Sequence, residues 1–418
     1  MKNLKDFFVI IMILFASGSF FSCEKEINTE GNNISNLKKA NTSELAPMEQ
    51  LGKEIFFDKI SDPGSMSCAT CHGPSVGFTG PNPGINNGGS VYRGAIPTRF
   101  GNRKPPSAAY ATFSPVFHYN YIEELFIGGN FWDGRATGYH LGNPAADQAL
   151  GPFLNPVEQN NPSKEAVLTH ISKSKYAGLW EEVWGDPISY EEENIEGNYD
   201  RVGLSIAAYE ASSEVNAFSS KYDAYLDGEA ELTAQEELGM ELFNNKGNCA
   251  ACHPSEISDG GQKPLFTDFS FDNLGVPKNP ENPFYNMDKV YLEDGSPINP
   301  DGSAWIDTGL GGFLASSTDP AWQGMANDNM GKHKVPTLRN VGKKPGNGFI
   351  KAYMHNGVFK SLKEIVHFYN TRDVDGWPEP EVSENINTDE LGNLGLSNDE
   401  EDAIVAFMMT LSDGYRKK

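Results

Sequence analysis

The sequence predicts a mainly α-helical protein in two halves, with long irregular segments between the helices. Three observations carry this expectation: apolar residues recur at helical spacing in several segments, one leader-plus-motif block occurs twice, and strand-like alternation is sparse. The 418 residues suffice for two or three cores at about 150 residues per domain. Lys plus Arg number 33 against 57 Asp plus Glu, a net charge of −24, so a phosphate backbone is repelled and nucleic-acid binding is excluded. The 43 Gly and 26 Pro, beside 38% hydrophobic residues, describe a folded but loop-rich chain.

The chain opens with Lys2 and Lys5, an apolar stretch from Phe7 to Ala16, and Phe20-Phe21-Ser22-Cys23. The apolar run is shorter than the ~20 residues of a bilayer-spanning helix, so residues 1–22 are expected to be an export signal. Cys23 sits as in a bacterial lipobox, with Phe20 where Leu is commoner. A lipidated Cys23 would make residues 23–47 a flexible tether and leave the protein on the periplasmic side or in the cell envelope, touching membrane only through that anchor. Ordinary signal cleavage is the alternative.

Leu51-Gly52-Lys53-Glu54-Ile55-Phe56-Phe57 precedes Cys68-Ala69-Thr70-Cys71-His72, and Leu238-Gly239-Met240-Glu241-Leu242-Phe243 precedes Cys249-Ala250-Ala251-Cys252-His253. Each half therefore opens with a short helix leading into CxxCH, the second started by a capping box from Thr233 to Glu236. Further helices are expected over 163–184, 199–218, 361–370 and 397–412, the last two with boxes Ser361/Glu364 and Ser397/Glu400. Segments 73–121 and 254–335 are rich in Gly, Asn, Asp and Pro. A compact domain tolerates such lengths mainly where they wrap a cofactor or serve function.

Two thiols in CxxCH can form thioethers with the two vinyl groups of a haem, and the adjacent His then lies beneath the iron. Zinc sites and thioredoxin-like redox pairs are the alternatives. Every cysteine after Cys23 belongs to one of the two CxxCH motifs, on a chain expected to be exported. The arithmetic points to two covalent c-type haems, on Cys68/Cys71 and Cys249/Cys252, with His72 and His253 as proximal ligands.

Further blocks are Phe131-Trp132-Asp133-Gly134-Arg135-Ala136, Gly151-Pro152-Phe153-Leu154-Asn155-Pro156-Val157-Glu158, Val335-Pro336-Thr337-Leu338-Arg339-Asn340-Val341 and Tyr353-Met354-His355-Asn356-Gly357. With Leu51-Gly52-Lys53-Glu54-Ile55-Phe56-Phe57-Asp58 and Ser65-Met66-Ser67-Cys68-Ala69-Thr70-Cys71-His72 before them, and in this order, they resemble the bacterial dihaem cytochrome c peroxidases and their relative MauG. The resemblance implies two mainly α-helical cytochrome c-like domains, 48–225 with the peroxide-reactive haem and 226–418 with the electron-transfer haem.

It also implies site residues. Glu158 falls on the family's peroxide-side carboxylate and Gln148, ten positions earlier, on its companion glutamine. A carboxylate there can take a proton from one peroxide oxygen and return it to the other, while an amide orients the bound molecule. Pro152 falls where MauG has a distal-pocket proline, although a helix-ending turn accounts for it equally. Trp132 falls on an aromatic between the haems, an electron relay or a core residue. Arg135 and Arg339 can pair with haem propionates or form ordinary salt bridges.

Two departures from the peroxidase pattern matter. Many of those enzymes place a histidine in the loop after the first CxxCH, and here none occurs between His72 and His118, which predicts a first haem open without prior reduction. Fourteen residues after His355, where peroxidases carry the second haem's methionine, stands Tyr369, as in MauG. Tyrosinate favours oxidised iron. Met325, Met330, His333 and His367 are the other candidate ligands, with Tyr369 then a core aromatic. The family's calcium is a further possibility, but its usual Asn context reads Arg103-Lys104-Pro105-Pro106, with Asn102 nearby.

Three activities fit. The first is reduction of hydrogen peroxide to water with electrons from a small periplasmic cytochrome c or cupredoxin. The second is a MauG-like oxidase that stores two oxidising equivalents across both haems and spends them on a protein or small molecule. The third is a non-catalytic dihaem electron carrier, which would need both irons fully ligated.

Overall fold

The structure is a computed structural model that describes residues 44–189, 191–292 and 295–417. The expected export signal and Cys23 lie outside the described residues, and 44–418 form one unit. The helices of the first half are α1 (Pro47–Phe57), α2 (Cys68–Cys71), α3 (Pro83–Asn87), α4 (Pro144–Leu154), α5 (Lys164–Ser172), α6 (Ala177–Trp184) and α7 (Glu192–Ala211). Those that follow are α8 (Lys221–Leu226), α9 (Ala234–Asn244), α10 (Gly309–Ala315), α11 (Pro320–Met325), α12 (Leu362–Thr371) and α13 (Asn398–Met409). Strands are short: β1 (His118–Asn120) pairs antiparallel with β2 (Leu125–Ile127), and β3 (Phe271–Asp272) with β4 (His333–Lys334).

The repeat seen in the sequence is a repeat in packing. In α1, Leu51, Ile55 and Phe56 are buried, and Gly52 faces α7 so closely that a Cβ would lie 1.8 Å from the Ser205 carbonyl oxygen. In α9, Leu242 and Phe243 are buried and the matching Gly239 faces α13, where a Cβ would lie 1.9 Å from the Ala403 carbonyl oxygen. Each half thus crosses its leader helix over a longer helix at a glycine, because only a missing side chain lets the backbones approach so far.

Two large cores grow from these crossings. One joins Leu51, Phe56, Phe153, Trp180, Val202 and Tyr209, and its last residue is Val215. The other starts at Tyr222 and joins Phe243, Phe266, Ile404 and Phe407. Tyr222 precedes the boundary expected at 225, yet it packs with the second core. A third cluster, Phe117, Phe126, Phe271, Leu310 and Leu314, ties the β1–β2 hairpin to α10.

Helix starts follow the capping signals. Thr233 and Ser397 each accept from the amide three residues on, and the Glu there reaches back to the cap's own N–H. At α12 only half of the expected box forms: Ser361 accepts from the Glu364 amide, but the Glu364 carboxylate bonds the Lys360 N–H.

The segment 163–184 is two helices, because the chain turns at Lys173 to Tyr176. The turn brings the Tyr176 hydroxyl 2.7 Å from Asp58 and sends Trp180 into the core. Helix α7 starts at Glu192 rather than 199 and ends at Ala211 rather than 218. Its first turns carry little apolar periodicity and are marked mainly by Glu192 and Glu193, acids that favour a helix N-terminus. Helix α10 lies inside a segment expected to be irregular. Gly309, Gly311 and Gly312 make it a poor helix by propensity, and it forms by packing Leu310 and Leu314 into the third cluster.

Replacing Gly52 or Gly239 by Ala should cost about 1–3 kcal/mol or more, because backbone must move. Gly178→Ala, on α6 with open space around it, is the control and should be neutral or slightly stabilising. Thermal unfolding of the three variants reads the difference, and equal midpoints would refute the tight crossings.

Candidate functional site

Each CxxCH is a tight turn that delivers its histidine to a cavity. Cys68–Cys71 form a single helical turn capped at Ser67, whose N–H donates to Thr70 Oγ1 at 2.9 Å. His72 follows, its Nδ1 3.1 Å from the Phe78 carbonyl oxygen. The second motif begins with a 3-10 turn over Cys249–Ala251, entered through Asn248 in the left-handed region, and His253 Nδ1 lies 2.7 Å from the Phe266 carbonyl oxygen. A carbonyl only accepts, so Nδ1 carries the hydrogen in both rings and Nε2 keeps a free lone pair. The acceptor residues are alike: Phe78 has φ 56° and Phe266 φ 54°. Burial lowers the pKa of both histidines, which keeps them in the neutral, metal-binding form.

The four thiols are not bridged. Burial pushes Cys68 and Cys249 up to about 12, and Cys71 and Cys252 also upward, so all four remain protonated. Protonated thiols do not suit a reactive redox pair, which needs a low-pKa cysteine. They fit a haem held by thioethers.

Two cavities adjoin these turns. His72, Pro106, Tyr110, Phe131, Gln148 and Glu210 line the first. Cys249, Cys252, His253, Leu338, Val366 and Tyr369 line the second. Trp132 and the run Lys334 to Thr337 line both, so Trp132 stands in the wall between them. Its indole N–H donates to the Lys104 carbonyl at 2.8 Å, its own carbonyl accepts from the Lys334 amide at 2.8 Å, and it is buried.

Gln148 reaches the first cavity from α4, which is capped by Asn143 and runs through Pro152 to Leu154. Glu158 follows in the Asn155-Pro156-Val157-Glu158 turn, where the Asn155 amide donates to its carboxylate at 2.7 Å. Burial raises the pKa of Glu158, only partly countered by the charge of Arg135 and the Asn155 hydrogen bond. Its charge in turn raises both Cys68 and Cys71, which puts it beside the first motif. No histidine lies between His72 and His118, and His118 is on the exposed face of β1.

Tyr369 lines the second cavity together with Leu362, Ile365 and Val366, all from α12. Met325 and Met330 pack instead on the third cluster. His367 turns to the other side of α12 and bonds Glu401 at 2.9 Å. His333 does line the cavity, but its Nε2 is 3.2 Å from Asp307.

The two arginines have protein carboxylates as partners. Arg135 is 2.8 Å from Asp133 and its guanidinium lies 3.7 Å from the Phe131 ring centroid. Arg339 is fully buried, forks Asp223 at 2.9 and 3.0 Å and donates through Nε to the Pro264 carbonyl. At the position where the resemblance expects a calcium-binding Asn, the Lys104 ammonium bonds Thr79 Oγ1 at 3.0 Å and the Pro105 carbonyl at 2.9 Å.

Sequence reasoning missed Glu210, a buried cavity-lining carboxyl whose burial pushes it up to about 8. It lies on α7 without a motif to mark it. It also missed Phe78 and Phe266, whose part is played by backbone oxygens that no side-chain pattern reports.

A mainly helical fold with two CxxCH turns on cavities that share a tryptophan defines a dihaem protein of the c type. Residues 46–231 match the family described as di-haem cytochrome c peroxidase. The chain is 33% identical over 380 residues to methylamine utilization protein MauG of Paracoccus denitrificans, covering 87% of this chain and 88% of that one. It is 28% identical over 376 residues to cytochrome-c peroxidase IdrP2 of Denitromonas iodatirespirans, covering 88% and 82%. The structure of the diheme peroxidase BthA from Burkholderia thailandensis superposes with a TM-score of 0.71 at 31% identity, covering 88% of this chain and 87% of that one. The chain belongs to the di-haem cytochrome c peroxidase and MauG family, a family of oxidoreductases with two haems.

Arg339→Met should cost about 3–5 kcal/mol by leaving Asp223 buried without its partner. Arg339 holds the Asp223 carboxyl below its ordinary value of 3.8, so this stabilisation is full above that pH and fades as pH falls through the lowered value. Denaturant titrations at pH 7 and pH 3 should show the gap between wild type and variant shrinking at the lower pH.

Proposed function

We propose that the protein reduces hydrogen peroxide to water in the first cavity, with two electrons and two protons per peroxide. The electrons come from a small cytochrome c or cupredoxin and enter through the second haem. The observation that carries this reading is the pairing of Gln148 and His72 on one cavity with Glu158 and its raised pKa beside the same motif. Residues 48–225 and 226–418 are the two haem domains, with haem on Cys68/Cys71 and Cys249/Cys252 as thioethers that acid acetone does not extract. His72 and His253 offer the proximal Nε2 atoms. When bound, the haems supply the iron that takes peroxide and the redox equivalents that cleave it.

The chain's own groups manage the proton. Glu158 would take the proton from one peroxide oxygen and return it to the other, which leaves as water. Gln148 holds the peroxide by hydrogen bonding, and Trp132, in the wall that both cavities share, is the relay for an electron between them. Without a histidine in the loop after His72, the first site is open to peroxide in the oxidised protein.

A second reading is favoured by Tyr369 and by the likeness to MauG: both equivalents are held across the two sites and spent on a protein or small molecule. Tyrosinate at the second iron stabilises its oxidised state. A pure electron carrier is disfavoured by the Gln148 and Glu158 pair, which it would not need.

Glu158→Gln should keep both haems and slow the reaction with peroxide by about 100-fold or more in rapid mixing. As a base Glu158 acts when ionised, so wild-type reactivity should fall as pH drops through a value above the ordinary 4.5 of glutamate. A near-normal rate in the variant removes Glu158 from the mechanism. Tyr369→Met should turn the second haem's spectrum into that of a His/Met cytochrome, while the wild type reacts with peroxide without prior reduction. A methionine-to-iron band in the wild type refutes Tyr369 as ligand, and inertness until half-reduced refutes the open first site. Steady-state turnover with reduced cytochrome c separates the peroxidase from the second reading.

A further inference from the structure

We propose that the Lys104 ammonium, with that of Lys351 beside it, stands in the seam between the two halves where the resemblance expects calcium. The cation at that place is then the protein's own, and no divalent ion is bound there.

Both lysines are buried. Lys104 Nζ donates to Thr79 Oγ1 at 3.0 Å and to the Pro105 carbonyl at 2.9 Å, and Thr79 Oγ1 itself donates to the Pro105 carbonyl at 2.6 Å. Lys351 Nζ donates to the carbonyls of Asn340 at 2.6 Å, Val76 at 2.9 Å and Lys343 at 3.3 Å. The bond to Val76 crosses from the second half to the first, and so does the bond between the Lys104 amide and the His355 carbonyl at 2.8 Å. The two ammonium groups are neighbours: burial, and next the charge of Lys104, hold Lys351 well below its ordinary value.

The donor set does not fit calcium. That ion takes roughly six to eight oxygen ligands at about 2.3–2.6 Å, carboxylates prominent among them. The oxygens here are neutral, one hydroxyl and four backbone carbonyls, and each already accepts an ammonium hydrogen. Among the described residues no carboxylate pairs with either ammonium, and two positive charges repel a divalent cation. The neighbours of Lys104 are engaged elsewhere: the Asn102 carbonyl accepts from Asn282 Nδ2 at 2.8 Å, and Arg103 forks Asp307 at 2.6 and 2.7 Å.

The charge of Lys104 reaches both sites. Lys104 lines the second cavity with His253, Thr79 and Asn340. At the first motif, burial and then the charge of Lys104 lower the pKa of His72. Its Nζ lies 5.9 Å from the Trp132 ring centroid, and its carbonyl holds the Trp132 indole. A buried ammonium without an anion is costly, and each haem, when bound, brings two carboxylates able to neutralise one. A bound ion exchanges with solvent, whereas an ammonium carried by the chain stays as long as the fold does.

The test uses the purified protein with both haems in place, so the haem count reports the two-haem reading separately. The wild type is incubated with calcium chloride, desalted, and its calcium counted by elemental analysis against haem. No calcium above a buffer blank is expected, and neither calcium chloride nor the chelator EGTA should change the haem spectra or the melting temperature. One calcium retained per chain, or a spectrum or melting temperature that responds to EGTA, overturns the proposal. Lys104→Met, at unchanged haem content, should lower the haem midpoint potentials, because a positive charge beside a haem favours its reduced form. Lys104→Arg keeps the charge and should keep potentials near those of the wild type. Potentials that do not move in Lys104→Met, or that move as far in Lys104→Arg, show packing rather than charge and overturn it too.

Discussion

Both halves depend on one hydrogen bond: the imidazole Nδ1 of each motif histidine against the backbone carbonyl of a phenylalanine in the left-handed region. That bond fixes the tautomer, aims Nε2 into the cavity and stops the ring from turning. It needs the carbonyl of Phe78 or Phe266 at a set point, which explains why each phenylalanine ring is buried in the core of its own half. The leader helices and their glycine crossings build the cores that hold those rings.

The wall between the cavities is held in the same manner from both sides. Trp132 is bonded through its indole to the segment at Lys104 and through its carbonyl to the segment at Lys334. Burial brings both lysines down to about 7, the cost of placing ammonium groups among backbone oxygens rather than in water. The Lys334 ammonium is bonded to Ser114 Oγ and the Gly128 carbonyl, so the wall is tied into the β1–β2 region as well. Trp132 is thereby fixed between the two cavities from both sides.

The buried ion pairs divide by task. Arg339 with Asp223 sits under the aromatic rings of Tyr110, Phe218 and Phe266 and joins the two cores. Near it, Asp413 accepts from Tyr110, Ser219 and Asn340 and closes the C-terminal segment over the same seam.

The sequence by itself determined what repeats and what caps. The paired Leu-Gly leaders, the two CxxCH motifs, the Thr233 and Ser397 caps and the face of α12 carrying Tyr369 all follow from local spacing, which is set by helix geometry alone. Tertiary structure decided what has no local period: the break between α5 and α6, the glycine-rich helix α10, the carbonyl partners of His72 and His253, and the partner of Arg339. A side chain's spacing can be read from its neighbours along the chain, but a backbone oxygen or a carboxylate brought from a hundred residues away is placed only by the packing of the cores, and that packing is a property of the folded whole.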